Sequence, residues 1–156
     1  MLALAQMQNN PHLVFNGNPN NPQSNNHQKG QVNGVPVDPQ LSRLITSDNI
    51  YHVGLNCGLN AQQSTYVAYI KMITHILLEK MPPDLRGGVV EIGSTITDIL
   101  YDNSKPPQDK TRQVLTLFQT LVTVFRKNMV TSNLLDQYTS ISPWLIPSRV
   151  VLPHRR

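Results

Sequence analysis

His75 and Glu79 stand one helical turn apart in QQSTYVAYIKMITHILLEK, a spacing at which an imidazole and a carboxylate on one face could offer two ligands to a metal ion. A tetrahedral site needs more, and neither a second His pair nor a Cys pair completes the set, so the two residues read as a surface pair. Asp98 and Asp102 repeat the one-turn spacing, but neighbouring carboxylates near a helix end are solvated more often than catalytic, and no partner base is identifiable. Gly87, Gly88 and Gly93 do not make a phosphate loop, since Arg86 precedes them and no Gly-Lys-Ser/Thr follows. Cys57 is the single cysteine, flanked by Asn56 and Gly58, which supply neither base nor cation to activate a thiolate; packing is its expected role. The expectation is a chain without catalytic residues, metal, cofactor or small-molecule substrate.

The cations invite a different chemistry. Arg112, Gln119 and Arg126 recur every seven residues in QDKTRQVLTLFQTLVTVFRKNMV, which on an ideal helix makes one polar stripe roughly 21 Å long. Lys110 and Lys127 lie beside it, and Arg149, Arg155 and Arg156 make the end of the sequence basic. These eight residues are the candidate nucleic-acid contacts. They would touch phosphates without reading bases, because no helix-turn-helix, zinc-finger or aromatic RNA-binding signature accompanies them.

Three helices must position these groups. In the first, Tyr66, Tyr69, Ile70, Ile73, Leu77 and Met81 share one face, and Pro82-Pro83 ends it. In DLRGGVVEIGSTITDILYD, the stripe Val89, Ile92, Ile96, Ile99 and Leu100 favours helix, whereas strand alternation would put Ser94 and Asp98 on the apolar side. In the third, Val114, Leu117, Phe118, Leu121, Val124 and Phe125 form the apolar face, after prolines well placed for a first turn. A short fourth helix, LLDQYTSI, is expected with Asn133 as its N-cap. Ahead of these, Leu41, Leu44 and Ile45 fit a turn or two of helix, and IYHVGLNCGLN reads as an extended link. The expected fold is therefore all-α: a small three- to four-helix bundle over 61–142, preceded by an extended Asn/Pro-rich arm over 1–39 and a linker over 40–60, and followed by an extended basic tail over 143–156. No internal repeat is visible.

Composition sets the surface. Of 156 residues only 14% are charged, against roughly 25% in an average soluble domain, and Asn, Gln, Ser, Thr and Pro stand in their place. Such a surface is polar yet weakly self-repelling, which suits packing against copies or a partner. The net charge of +4 permits a polyanionic partner. Asn9, Asn10 and Pro11 end the apolar start MLALAQM too early for a signal peptide, and nothing in the sequence approaches a membrane span. The arm carries Lys29 as its only formal charge before Asp38, with apolar islands at Leu13, Val14 and Phe15 and at Val32, Val35 and Val37. Leu13, Val14, Phe15, Val35 and Trp144 are the candidate assembly contacts, pinning arm and tail to neighbouring subunits.

A low-charge chain of this size, with an extended arm, a helical bundle and no catalytic motif, resembles the coat proteins of filamentous archaeal viruses. The resemblance lies in organisation and carries over no individual residue. It implies a structural protein of the virion, a capsid subunit assembling helically with copies of itself or a paralogous coat subunit around nucleic acid, with double-stranded DNA the expected polymer. An acid-free arm fits it, since a carboxylate would repel phosphate or be costly to bury between subunits. The contrasting expectation is a protein-protein interaction module of the host cytoplasm or nucleus, docking a partner through Trp144, Leu145 and Ile146 with the arm as a disordered tether.

Overall fold

Asn33-Gly34 closes a β-hairpin rather than a loose turn. The computed structural model describes residues 30–86 and 92–146, and in it β1 (Gln31–Val32) pairs antiparallel with β2 (Val35–Pro36), Gln31 opposite Pro36 and Val32 opposite Val35. Asn33 has φ 52° and Gly34 φ 85°, the two positive values that a tight hairpin turn of this hand requires. Alternation then puts Val35 and Val37 on one side, where both are completely buried. The extended arm expected over 1–39 therefore does not reach residue 39: from Gly30 onward the chain belongs to the folded body.

The linker, expected to hold a short helix or an extended segment, is two helices, the first of them where Leu41, Leu44 and Ile45 predicted a turn or two. Asp38 accepts from the Gln40 amide at 3.0 Å and opens α1 (Pro39–Ile45); Asp48 accepts from the Ile50 amide at 2.8 Å and opens α2 (Asn49–Asn56). The reading of IYHVGLNCGLN as extended was wrong. Its glycines serve a helix: Gly58, at φ 100°, follows the C-cap while the Leu59 amide reaches back to Gly54 O at 3.0 Å and the Gly58 amide to Leu55 O at 3.2 Å, a Schellman stop. Gly54 is needed for contact, because a Cβ there would lie 2.6 Å from Ser64 Oγ. Buried Ile50, Tyr51 and Gly54 thus seat α2 on α3.

The central element is α3 (Ala61–Glu79), opened by a capping box in which Asn60 and Gln63 each bond the other's amide, at 2.7 and 2.9 Å. All six residues of its expected stripe are buried, and so are Val67, Ala68 and Leu78 on other sides. The helix is apolar nearly all round because α2, α5, α6 and α7 pack about it. Beyond the short α4 (Pro83–Arg86), α5 (Ile92–Leu100) buries Ile92, Ile96 and Leu100 at the expected spacing. Val89 of that stripe lies outside the described residues, as do Gly87 and Gly88.

α6 (Pro107–Phe125) has proline at its first turn and buries Val114, Phe118, Leu121 and Phe125 from the predicted face. It stops before Arg126, five residues short of the expected end, because Asn128 turns extended and caps α7 (Met129–Ile141) by accepting from the Thr131 amide at 3.1 Å. Asn133, the expected cap, is an exposed residue inside α7. A 3-10 turn, Pro143–Leu145, follows and places Trp144 and Leu145 in the core, so the tail does not become extended at 143 as expected. The fold is an all-α bundle carrying one small hairpin. Among the described residues no helix is long and apolar enough to cross a membrane.

Candidate assembly and polyanion-contact surfaces

The polar stripe of α6 is occupied. Arg112 pairs with Asp109 one turn earlier; Gln119 Nε2 donates to Leu145 O at 3.2 Å; Arg126 Nη1 donates to Asp136 Oδ1 at 2.9 Å and Ser132 Oγ at 2.8 Å. Each of the three is half-buried. Gln119 and Arg126, which were to meet phosphate, tie the 3-10 turn and α7 to α6 and its C-cap, while Arg112 is held by Asp109 within α6 itself.

Lys110 is the clearest correction. It is 3% exposed, and its Nζ donates to Leu100 O at 2.6 Å and Cys57 O at 3.4 Å. Those carbonyls close α5 and α2, so the ammonium serves two helix C-termini at once, where the backbone dipoles favour a cation. It is a buried clamp and cannot contact a polymer. Lys127 is exposed in the turn between α6 and α7. Arg149, Arg155 and Arg156 lie outside the described residues, as do Leu13, Val14 and Phe15.

The two remaining assembly candidates fall inside the bundle. Val35 is fully buried and Trp144 5% exposed, its ring edge-on to Tyr66 with centroids 4.7 Å apart. Neither is free to pin a neighbour, and Trp144, Leu145 and Ile146 cannot dock a partner helix as an exposed trio, Leu145 being completely buried. The indole was misplaced because its proline-rich surroundings read as an extended tail. The chain reverses at Ser142, which folds it back onto the hairpin.

The apolar groups left at the surface are others: Met129 at 77% and Val130 at 52% exposure in the first turn of α7, with Leu44, Leu55 and Tyr101 exposed elsewhere. A groove of about 550 Å³ opens beside α6, lined by Lys105, Asp109, Arg112, Thr116 and Leu117 among others. Periodicity had assigned Met129 and Val130 to the end of α6; only the cap at Asn128 exposes them.

His75 Nε2 and Glu79 Oε2 are 3.2 Å apart on a well-exposed face, and among the described residues no three of His, Cys, Asp and Glu converge on a point. Asp98 is exposed, while Asp102 accepts from Ser104 Oγ at 2.6 Å and the Ser104 amide at 3.0 Å, bonds that hold its carboxyl below the usual carboxylate range. The strongest shifts belong to Tyr66 and Tyr69, whose phenols burial pushes above their ordinary value. Both are core residues. Compared with protein-family models, curated proteins and solved structures, the chain matches none.

Proposed function

We propose that this chain is a structural, non-enzymatic subunit of coat-protein type. It packs with copies of itself or a paralogous subunit into a helical filament and holds nucleic acid, with duplex DNA the expected polymer, through the phosphate backbone. The observation that carries the reading is a folded body without net charge whose surface bears large apolar side chains. The sequence from 30 to 146 holds nine Lys and Arg against nine Asp and Glu. Met129 and Val130 stand exposed together at the head of α7. Nothing electrostatic keeps such bodies apart, and burying two such side chains in a contact contributes about 1.5–3 kcal/mol each. A virion is the location this function implies.

The test is negative-stain electron microscopy and sizing of the purified protein, alone and with duplex DNA or RNA. Regular filaments or rings support the reading and identify the polymer. A monodisperse monomer under every condition overturns it and leaves the helical interaction module as the better account.

A further inference from the structure

Two surfaces of the bundle match one another in length, and among the described residues nothing covers either. The groove beside α6 follows one helix face for about 16 Å, since Asp109, Arg112, Gln113, Thr116, Leu117 and Thr120 recur at three-four spacing. Ile99 of α5 and Leu117, both half-buried against the core, give it an apolar floor, and Lys105 stands exposed at the end where α6 begins. The exposed positions of α7 are Met129, Val130, Asn133, Asp136, Gln137 and Ser140, again one helix face and again about 16 Å long. No residue of α7 is among those lining the groove, and Met129, 77% exposed, does not fill it within its own chain.

Their chemistry is complementary. Met129 and Val130 give the α7 face an apolar head to set on Ile99 and Leu117. Of the charges at the groove, Asp109 and Arg112 hold each other, which leaves Lys105 as the excess cation. Asp136 is the only charge on the α7 face; it accepts from Arg126 Nη1 at 2.9 Å, yet its side chain stays 51% exposed. The body around both surfaces balances nine Lys and Arg against nine Asp and Glu over 30–146, so two copies meet without long-range repulsion.

We propose that α7 of one copy lies in the α5–α6 groove of the next, antiparallel to α6, and that this contact propagates the filament. The proposal rests on the self-assembly half of the function given above and names its interface. Charge sets the direction. With Met129 and Val130 over Leu117, seven residues along α7 carry Asp136 about 10 Å, toward the Lys105 end of the groove only if the two helices run opposite ways. A helix laid in an apolar-floored groove is a recurrent mode of protein recognition, and here the helix and the groove are different surfaces of the same chain. Such a heterologous contact does not close as a two-fold pair: each subunit offers α7 to one neighbour and its groove to another, which yields a ring or an open helix of subunits.

The experiment sizes the full chain under the conditions in which the wild type assembles, with helicity checked by circular dichroism. Met129→Asp/Val130→Asp spoils the offered helix and Gln113→Glu/Thr120→Glu the groove, all four at exposed positions. Each double variant alone should be monomeric. An equimolar mixture should give a one-to-one dimer and nothing larger, because one intact helix and one intact groove remain between the two. Lys105→Glu should weaken assembly by up to about fivefold, and adding Asp136→Lys should restore it. Leu44→Gln, at an exposed apolar residue outside both surfaces, should change nothing. Assembly of either double variant alone, a mixture that stays monomeric, or loss of assembly in Leu44→Gln overturns the contact while self-assembly stands. A wild-type chain that is monomeric under every condition overturns both.

Discussion

The indole Nε1 of Trp144 donates to the carbonyl oxygen of Pro36 at 3.0 Å, across 108 positions of sequence. Trp144→Phe keeps most of the ring against Tyr66 while leaving that carbonyl with Ser142 alone, and is expected to cost about 1 kcal/mol. Trp144→Ala also removes the buried ring and should cost about 3–5 kcal/mol. Urea denaturation of the three proteins measures both. Equal, negligible effects would mean that the last turn does not stabilise the bundle.

Lys110→Met retains the aliphatic stem but withdraws the ammonium from Leu100 O and Cys57 O. A loss of about 2 kcal/mol is expected from the charged hydrogen bonds and the two helix ends. Binding to DNA should not change. Reduced affinity without reduced stability would restore Lys110 to the polymer contacts.

Gly54→Ala brings a methyl group 2.6 Å from Ser64 Oγ and 3.3 Å from Leu59 Cδ2. Overpacking of this kind costs about 1–3 kcal/mol. Ser64→Ala should be close to neutral alone, because its buried hydroxyl has no hydrogen-bond partner among the described residues, and it should recover part of the Gly54→Ala loss. Thermal melts of the single and double variants complete the cycle; strict additivity would show that the two residues do not meet.

Alkaline pH should unfold the protein. Burial raises the phenols of Tyr66 and Tyr69 above their ordinary value of 10.0, so the unfolded chain gives up these protons at lower pH than the native one. Their contribution is whole below pH 10.0 and is lost as pH rises beyond it. Phenolate absorbance from these two tyrosines should therefore appear together with the loss of helical circular dichroism. Ionisation of both in a protein that keeps its helicity would contradict their burial.

Where a helix buried a stripe at its own period, the pattern was legible. The faces of α3, α5 and α6 follow from three-four spacing, as does the α6 start at its prolines, because each buries a stripe whose period is that of the helix itself. α2 was misread because β-branched residues and paired glycines favour extended chain locally, whereas in the fold Gly54 admits Ser64 and Gly58 turns the chain after the helix. The break between α6 and α7 was misplaced by five residues for a similar reason, since Asn128 and Asn133 are equally able to cap and packing chooses between them.

Composition alone determined the low charge and the basic balance, since these are sums over residues and need no geometry. Periodicity determined that the protein is a helical bundle. Tertiary structure alone decided which polar groups were left for a partner. Lys110, Gln119 and Arg126 found acceptors in other elements of the fold, Val35 and Trp144 went into the core, and Met129 and Val130 came out. The physical reason is that a buried donor left unbonded costs more than an exposed one gains, so the fold first satisfies its own carbonyls and carboxylates. Where those partners lie is a matter of contacts between separate elements, which no local spacing records.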